Sequence, residues 1–419
     1  MNMFLLYIDP GTGSMLFSIL IGAAATLYFL SRALLIKLKV LLSGGRVTAA
    51  AAARKPYVIY CEGRQYCNVF QPVLDEFEKR QIELLYLSSA EDDPAFEAGY
   101  VYIKTEYIGE GNRAYARLNM LAADIVLMTT PGLDVYQLKR SKGVKHYAHI
   151  LHAPSDATMY RLFGIDYFDS VLLTGEYQAR DIRVLEQQRG LPEKRLVVSG
   201  CSYLDVYAKK IAALPKEPEH PFTVLVSPTW GPSGLLAKYG ARLLTPLVKT
   251  GSRIIVRPHP QSKKSEAAIL DKLRECFKEV GNLEWDYERE NIHSLSKADL
   301  MISDFSGVIF DYTFLFDKPV LYVNQNVDLR PYDADDICSG EAGSAGLYKL
   351  WQFSALASFG IALTEDMFEN IGDVLTNITD SLELQAARQK AREEAWMYRH
   401  EAGKRIADFM IEQKSNILN

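Results

Sequence analysis

Three short segments in the second half of the chain gather residue types that handle phosphate. Ser227-Pro228-Thr229-Trp230-Gly231-Pro232-Ser233-Gly234 follows an apolar run, Phe222 to Val226, and precedes a helical pattern. Small residues allow close approach of a backbone to a ligand, and a helix start offers free N–H groups to an anion. The segment reads as a phosphate cradle or as a plain Gly/Pro turn, and it lacks the lysine of a P-loop. Arg257-Pro258-His259-Pro260 follows Ile254-Ile255-Val256. Two prolines leave the histidine little backbone freedom. Its imidazole could donate to a phosphate oxygen, and Arg257 could grip one in a bidentate manner; a loop histidine bonded to its neighbours is the alternative. In Ile302-Ser303-Asp304-Phe305-Ser306-Gly307-Val308-Ile309-Phe310-Asp311-Tyr312 an apolar strand pattern ends in small polar residues before a helix. Ser303, Asp304 or Ser306 could cap that helix, whose N-terminus favours an anion, and Asp311 could accept from ligand hydroxyls. An ordinary capped helix would look the same.

The first half offers one more candidate. His146, His149 and His152 are spaced by three, but His146 to Leu151 reads as a strand, which sends His146 and His149 to opposite faces. A shared metal is therefore not expected. His152 falls where that strand ends, before Ala153-Pro154-Ser155-Asp156, and could act as a general base there.

These segments all follow apolar runs, so strands must position them. Strand patterns are expected at Tyr57–Tyr60, Ile82–Leu87, Val101–Ile103, Ile125–Met128, Tyr147–Leu151, Val171–Thr174 and Leu196–Val198. After a proline-rich break at Pro215, Pro218 and Pro221 they resume at Phe222–Val226, Arg253–Val256, Leu300–Ile302 and Val320–Val323. Helical patterns at Gln65–Arg80, Leu235–Lys249, Ala268–Val280 and Val308–Phe316 alternate with them. Such alternation predicts βαβ units around parallel sheets, with ligands bound beyond the carboxyl ends of the strands.

A chain of 419 residues has room for two domains at roughly 100–200 residues each. Its net charge of −5 argues against a broad duplex-binding face, so no nucleic-acid partner is expected. The five cysteines form no CxxC pair, which points to neither a disulfide framework nor a zinc site. Ser14 to Ser31 carries no charge, and Arg32, Lys37, Lys39, Arg46, Arg54 and Lys55 follow it. This predicts a single membrane-spanning helix with the bulk of the chain in the cytoplasm. The expected layout is a membrane anchor (1–42), a linker (43–56), a first lobe (57–214), a second lobe (222–380) and a helical tail (381–419).

Ala298 to Tyr312, followed by Asp317-Lys318-Pro319-Val320, resembles the CDP-glycerol glycerophosphotransferase family, the teichoic acid primases and polymerases. The likeness extends to Ser227–Trp230, Arg257–Pro260, Tyr167–Thr174 and Gly200–Asp205. It implies a GT-B-like α/β fold, two Rossmann-like lobes with the active site between them. A CDP-glycerol or related CDP-polyol donor would sit on the second lobe, held by Thr229, Arg257, Pro260, Ser303, Asp304, Ser306, Gly307 and Asp311. His259 would meet donor phosphate, and His152 would take a proton from a hydroxyl of a lipid-linked or membrane glycan acceptor. No cofactor and no metal are implied. Three positions depart from the family pattern: Leu151-His152-Ala153 replaces Trp-His-Gly without a following lysine, Gly307 replaces a serine, and Gly231 replaces a basic residue. The competing readings are a GT-B glycosyltransferase using a nucleotide sugar, and a catalytically silent membrane adaptor.

Overall fold

The computed structural model describes residues 26, 27, 31, 54–215, 220–288, 290–324, 327–339, 344–379 and 381–418. Apart from residues 26, 27 and 31, the segment expected to span a membrane lies outside them. No helix among the described residues is long and apolar enough to cross a membrane.

Two parallel sheets organise residues 55–418. The first contains β1 (Lys55–Cys61), β2 (Leu84–Ser88), β3 (Ile103–Tyr107), β4 (Ala122–Met128), β5 (Gly143–Ile150), β6 (Ser170–Leu173) and β7 (Arg195–Val198) in the order 3-2-1-4-5-6-7. The second contains β8 (Thr223–Val226), β9 (Arg253–Val256), β10 (Leu283–Trp285), β11 (Leu300–Ser303), β12 (Val320–Tyr322) and β13 (Gly360–Ala362) in the order 10-9-8-11-12-13. Each is a doubly wound sheet whose order reverses beside its first strand, between β1 and β4 and between β8 and β11. That reversal opens a crevice at the carboxyl edge of the sheet.

The strand residues explain the layers. A parallel sheet covered by helices on both faces needs apolar residues at consecutive positions. Val58 and Tyr60 of β1 join one hydrophobic cluster with Val126 and Met128 of β4. Tyr57, Ile59, Ile125 and Leu127 point to the opposite cluster. The expected third strand lies further along the chain, at Ile103–Tyr107, and Val101 is exposed. β10 and β13 carry three residues each, too few to show a period, and were not anticipated. The helix expected over Leu235–Lys249 breaks at Gly240, where φ is 43°. The linker expected to run through residue 56 gives way at Lys55, already part of β1.

The C-terminal tail crosses between the lobes. Helix Leu382–Ala395 docks on the second lobe, where buried Arg388 meets Asp317 at 3.3 Å. Helix Ala402–Leu418 returns to the first lobe, burying Ile406, Phe409 and Met410 among β1, β4 and helix Cys67–Lys79. The corner between them is held by Asp205, whose buried carboxylate accepts from Trp396 Nε1 (2.9 Å), His400 N (2.8 Å) and Ala402 N (3.1 Å). Gly200 lies beneath the same corner: its φ is 88°, and a Cβ there would stand 2.5 Å from the Met397 carbonyl oxygen. A second seam joins the lobes directly. Asp333 accepts from Phe163 N (2.7 Å), Gly164 N (3.1 Å) and Arg189 Nη2 (2.7 Å), and Gln352 N donates to Asp156 at 2.7 Å.

Asp205→Ala would leave three N–H donors without their acceptor, one of them a buried indole. A loss of about 3–5 kcal/mol in stability is expected from urea unfolding, with Asp205→Asn recovering part of it. A loss below about 1 kcal/mol would show that the corner is held by packing alone.

Candidate active site

The three segments singled out in the second lobe follow β8, β9 and β11, and two of them are laced together by Asp304. This residue is fully buried, and its carboxylate accepts from Thr229 N (2.9 Å) and Leu235 N (3.0 Å). Burial pushes its pKa up, while those amides pull in the opposite direction. Beside it, Ser303 Oγ donates to the Ser227 carbonyl at 2.6 Å. The sequence marks both residues as donor-binding, but their side chains are engaged within the protein and shape the 227–235 loop. Their polar atoms have to be used this way because both are sealed from water.

Arg257 differs from its expected role in the same manner. Its guanidinium is paired with Asp286 and donates through Nη2 to the Glu288 carbonyl at 2.7 Å. It ties the end of β9 to the segment after β10. A buried arginine already paired with a carboxylate makes a poor phosphate grip.

His259 keeps a free nitrogen. Its Nδ1 accepts from Gln261 N at 3.1 Å, so the neutral ring carries its proton on Nε2. Burial lowers its pKa against the opposing charge of Glu266, which favours that neutral, donating form. Glu266 also accepts from Gly231 N at 2.9 Å, joining the loop after β8 to the one after β9. The Trp230 ring, half exposed, lies 6.4 Å from the His259 ring, and Pro260 is exposed next to it.

Helix Val308–Phe316 begins beside these loops. Ser306 is half-buried, and Gly307 is exposed in ordinary helical geometry at φ −57°. A Cβ at Gly307 would meet nothing within 4 Å, so the missing serine costs a hydroxyl and leaves the backbone unchanged. Gly231 is different: its φ of 98° is one that a side chain strains, so a basic residue there would need another loop shape. Asp311 lies one turn into the helix. Its carboxylate accepts from Tyr203 OH of the first lobe at 3.2 Å, and burial raises its pKa to about 7.

In the first lobe His152 stands just past β5. Burial pushes its pKa down to about 4, so it is neutral at pH 7. Tyr160 OH lies 3.3 Å from its Nδ1 and 3.1 Å from Nε2 of buried His149, linking the two rings through one hydroxyl. His146 faces the other side of the sheet, 2.8 Å from Ser170 Oγ, as the strand period requires. The loop carrying His152 is docked on the second lobe, since Asp333 N donates to the Tyr160 carbonyl at 3.0 Å and Asp156 bonds Gln352. Tyr160, Tyr203 and Glu266 were not anticipated. Tyr203 and Glu266 lie 108 and 35 residues from Asp311 and Gly231, Tyr160 lies 8 residues past His152, and no local pattern marks them. The fold also gathers Cys61, Cys67 and Asp93, but both Asp93 oxygens already accept bonds, from Tyr86 OH, Ser88 Oγ and Ala95 N.

Asp304→Ala is expected to cost about 2–4 kcal/mol by thermal or urea unfolding, since the buried Leu235 amide and the part-buried Thr229 amide lose their acceptor. Gly307→Ser is expected to change stability by less than about 0.5 kcal/mol. The reverse order would mean that the 227–235 loop is organised by something other than Asp304.

Comparison with known proteins shows a family likeness over part of the chain. Residues 181–336 match the family described as CDP-Glycerol:Poly(glycerophosphate) glycerophosphotransferase. That span contains His259, Asp304, Ser306 and Asp311 and excludes His152 on its N-terminal side. No curated protein gives a significant match. Among solved structures, the wall teichoic acid polymerase TagF is similar at 15% identity, covering 87% of this chain and 90% of that one with a TM-score of 0.54. A variant of TagF soaked with CDPG covers 93% and 98% at 14% identity and a TM-score of 0.56. The putative UDP-N-acetylglucosamine 2-epimerase of Listeria monocytogenes covers 86% and 97% at 15% identity and a TM-score of 0.52. At these identities the structural likeness establishes the two-lobed fold. Over residues 181–336, less than half of the chain, it is similar to the CDP-glycerol glycerophosphotransferase family.

Proposed function

We propose that the protein transfers glycerol phosphate, or a related polyol phosphate, from a CDP-linked donor to a glycan acceptor attached to a membrane. The observation that supports this reading is that His259 follows β9, and Ser306 and Asp311 follow β11, the two strands flanking β8 in a sheet whose 181–336 segment matches the family. His259 Nε2–H and the first turn of helix Val308–Phe316 are suited to donor phosphate oxygens, and Ser306 offers a hydroxyl. Asp311 accepts from the polyol hydroxyls. His152 Nε2 takes the proton of an acceptor hydroxyl, whose oxygen attacks the β-phosphorus. One P–O bond forms, the bond to the CMP oxygen breaks, and CMP leaves with the electron pair. The uncharged run Ser14–Ser31 and the basic residues after it favour a membrane anchor with both lobes cytoplasmic, where a lipid-linked acceptor would be presented.

Incubation with CDP-glycerol and a lipid-linked glycan should release CMP and form a phosphodiester. Release of a nucleoside diphosphate from a nucleotide sugar, with a glycosidic product, would favour the glycosyltransferase reading. No CMP from any CDP-polyol would sink the proposal. His259→Ala and His152→Ala are each expected to lower kcat/KM by about 100-fold or more with the fold intact; unchanged rates would mean the site lies elsewhere.

The pH dependence has a defined sign. A base pushed down to about 4 stays unprotonated through neutrality, so His152 places its acid limb near pH 4. Asp311, raised to about 7, titrates near neutrality, and the Asp311→Asn rate profile should lose any limb there. Because the folded pKa of Asp311 lies above its unfolded value of 3.8, the folded state loses stability as pH rises from there to about 7. Asp311→Asn should therefore gain about 1–2 kcal/mol over the parent at pH 8 and nothing at pH 3.5 or below. A constant difference across that range would contradict the assignment.

A further inference from the structure

The first lobe gathers a set of metal-ligating side chains that the transferase reading does not use. Cys61 ends β1, Cys67 opens helix Cys67–Lys79, and Asp93 lies beyond β2 and caps the short turn Pro94–Phe96. One ligating atom from each lies within 4.8 Å of the other two. The carboxylate comes from the far side of the next strand, so the cysteine spacing alone shows no metal pattern.

The distances suit a thiolate pair around an ion. Both cysteines are free, Cys61 buried and Cys67 half-buried, with their Sγ atoms 3.9 Å apart. Two sulfurs bound at about 2.3 Å to a tetrahedral zinc ion stand about 3.8 Å from each other. Asp93 is held in place by Tyr86 OH and Ser88 Oγ, which donate to Oδ2 at 2.8 and 2.6 Å, and by Ala95 N, which donates to Oδ1 at 3.0 Å. Carboxylates that ligate metals are held by such bonds, and a single bond at Oδ1 leaves that oxygen a lone pair.

The charges point the same way. The Cys67 thiol is pushed up, first by its bond to Cys61 and then by burial, and Asp93 adds to the effect. After burial itself, Cys61, Asp93 and Cys67 raise the phenol of Tyr86. A divalent cation at the same point would turn this mutual repulsion into attraction and deprotonate the thiols. Cys67 also stands in the first turn of its helix, where free N–H groups favour a thiolate. There is a way in as well. The residues between the two cysteines line an open cavity of about 890 Å³, whose wall carries Glu62, Glu91, Asp92 and Glu110 against Arg64. An acidic entrance concentrates cations.

We infer that Cys61, Cys67 and Asp93 form a binding site for one thiophilic divalent cation of the zinc class, with a water completing the tetrahedron. Two metal–sulfur bonds form, both thiol protons leave to solvent, and Asp93 supplies an oxygen lone pair. The role is structural. The ion clamps the end of β1 to the helix start and to the turn after β2, and fixes the segment between the cysteines. That segment carries Tyr66, whose ring stands edge-on to His152 with centroids 5.0 Å apart.

The test uses the full-length untagged protein in detergent, reduced and stripped with a chelator, with Co²⁺ and Zn²⁺ as probes. Co²⁺ should bind at one ion per chain and give a thiolate-to-metal charge-transfer band with the visible bands of tetrahedral cobalt. Zn²⁺ should displace it, release about two protons per chain and raise the melting temperature. Cys61→Ser and Cys67→Ser should each weaken Zn²⁺ binding by about 100-fold or more, and Asp93→Asn by about tenfold or more. Cys276→Ser, at an exposed cysteine, should change nothing. Should Cys61→Ser fail to fold, Cys67→Ser decides. The inference is overturned if the reduced protein shows no thiolate band, if Cys67→Ser retains it, or if the pair is recovered as a disulfide that takes up no metal once reduced. Each readout is independent of CMP release, so the site stands or falls apart from the transferase reading.

Discussion

The two-lobed arrangement depends on one buried carboxylate. Asp205 receives three N–H donors from the corner at Trp396, His400 and Ala402, and so fixes where the tail stops following the second lobe and turns back to the first. An isolated carboxylate in that position would be costly to bury; three donors make it a strong anchor. The Asp333–Arg189 seam and the Asp156–Gln352 pair then hold the loop of His152 against the second lobe. A transferase that moves a group from one lobe to a hydroxyl bound on the other needs that registry, because misplacement of reacting groups by even about 1 Å is expensive.

Within the second lobe the polar residues divide into two kinds. Ser303, Asp304 and Arg257 are sealed and matched to protein partners, and they give the loops after β8, β9 and β11 a fixed shape. His259 and Ser306 are half-buried; His259 has Nε2 left over and Ser306 its hydroxyl, while Asp311 is shared across the lobes with Tyr203. The division follows from desolvation. A polar group removed from water must be paired inside the protein, and one that serves a ligand must be left with bonding capacity. The arrangement lets a rigid, charge-satisfied base present a few unsatisfied groups, a requirement for preorganised stabilisation of a phosphoryl transition state.

Much of this was legible before any coordinates. Apolar runs long enough to show a period marked most strands, and the phosphate-handling residue types after them marked the loops. The misses share a cause. β10 and β13 are three residues long and draw their stability from neighbours in the sheet, so no local pattern betrays them. Arg257 and Asp304 have the residue types of a phosphate site, yet their partners, Asp286 and the amides of Thr229 and Leu235, come from distant segments. Residue type alone does not say whether a charge faces a cleft or another side chain.

The sequence by itself determined the class of the fold and, through the Ser303–Asp311 run, the resemblance to the family whose model matches residues 181–336. Those properties are written in local order: strand period, helix starts, and small or charged residues at strand ends. The tertiary structure decided which of those polar residues are spent on holding the site and which remain for chemistry. It also brought Tyr203 of the first lobe to Asp311 of the second, and the corner at Trp396, His400 and Ala402 to Asp205. Such pairings are set by long-range packing of the two lobes and the returning tail, which no short stretch of sequence contains.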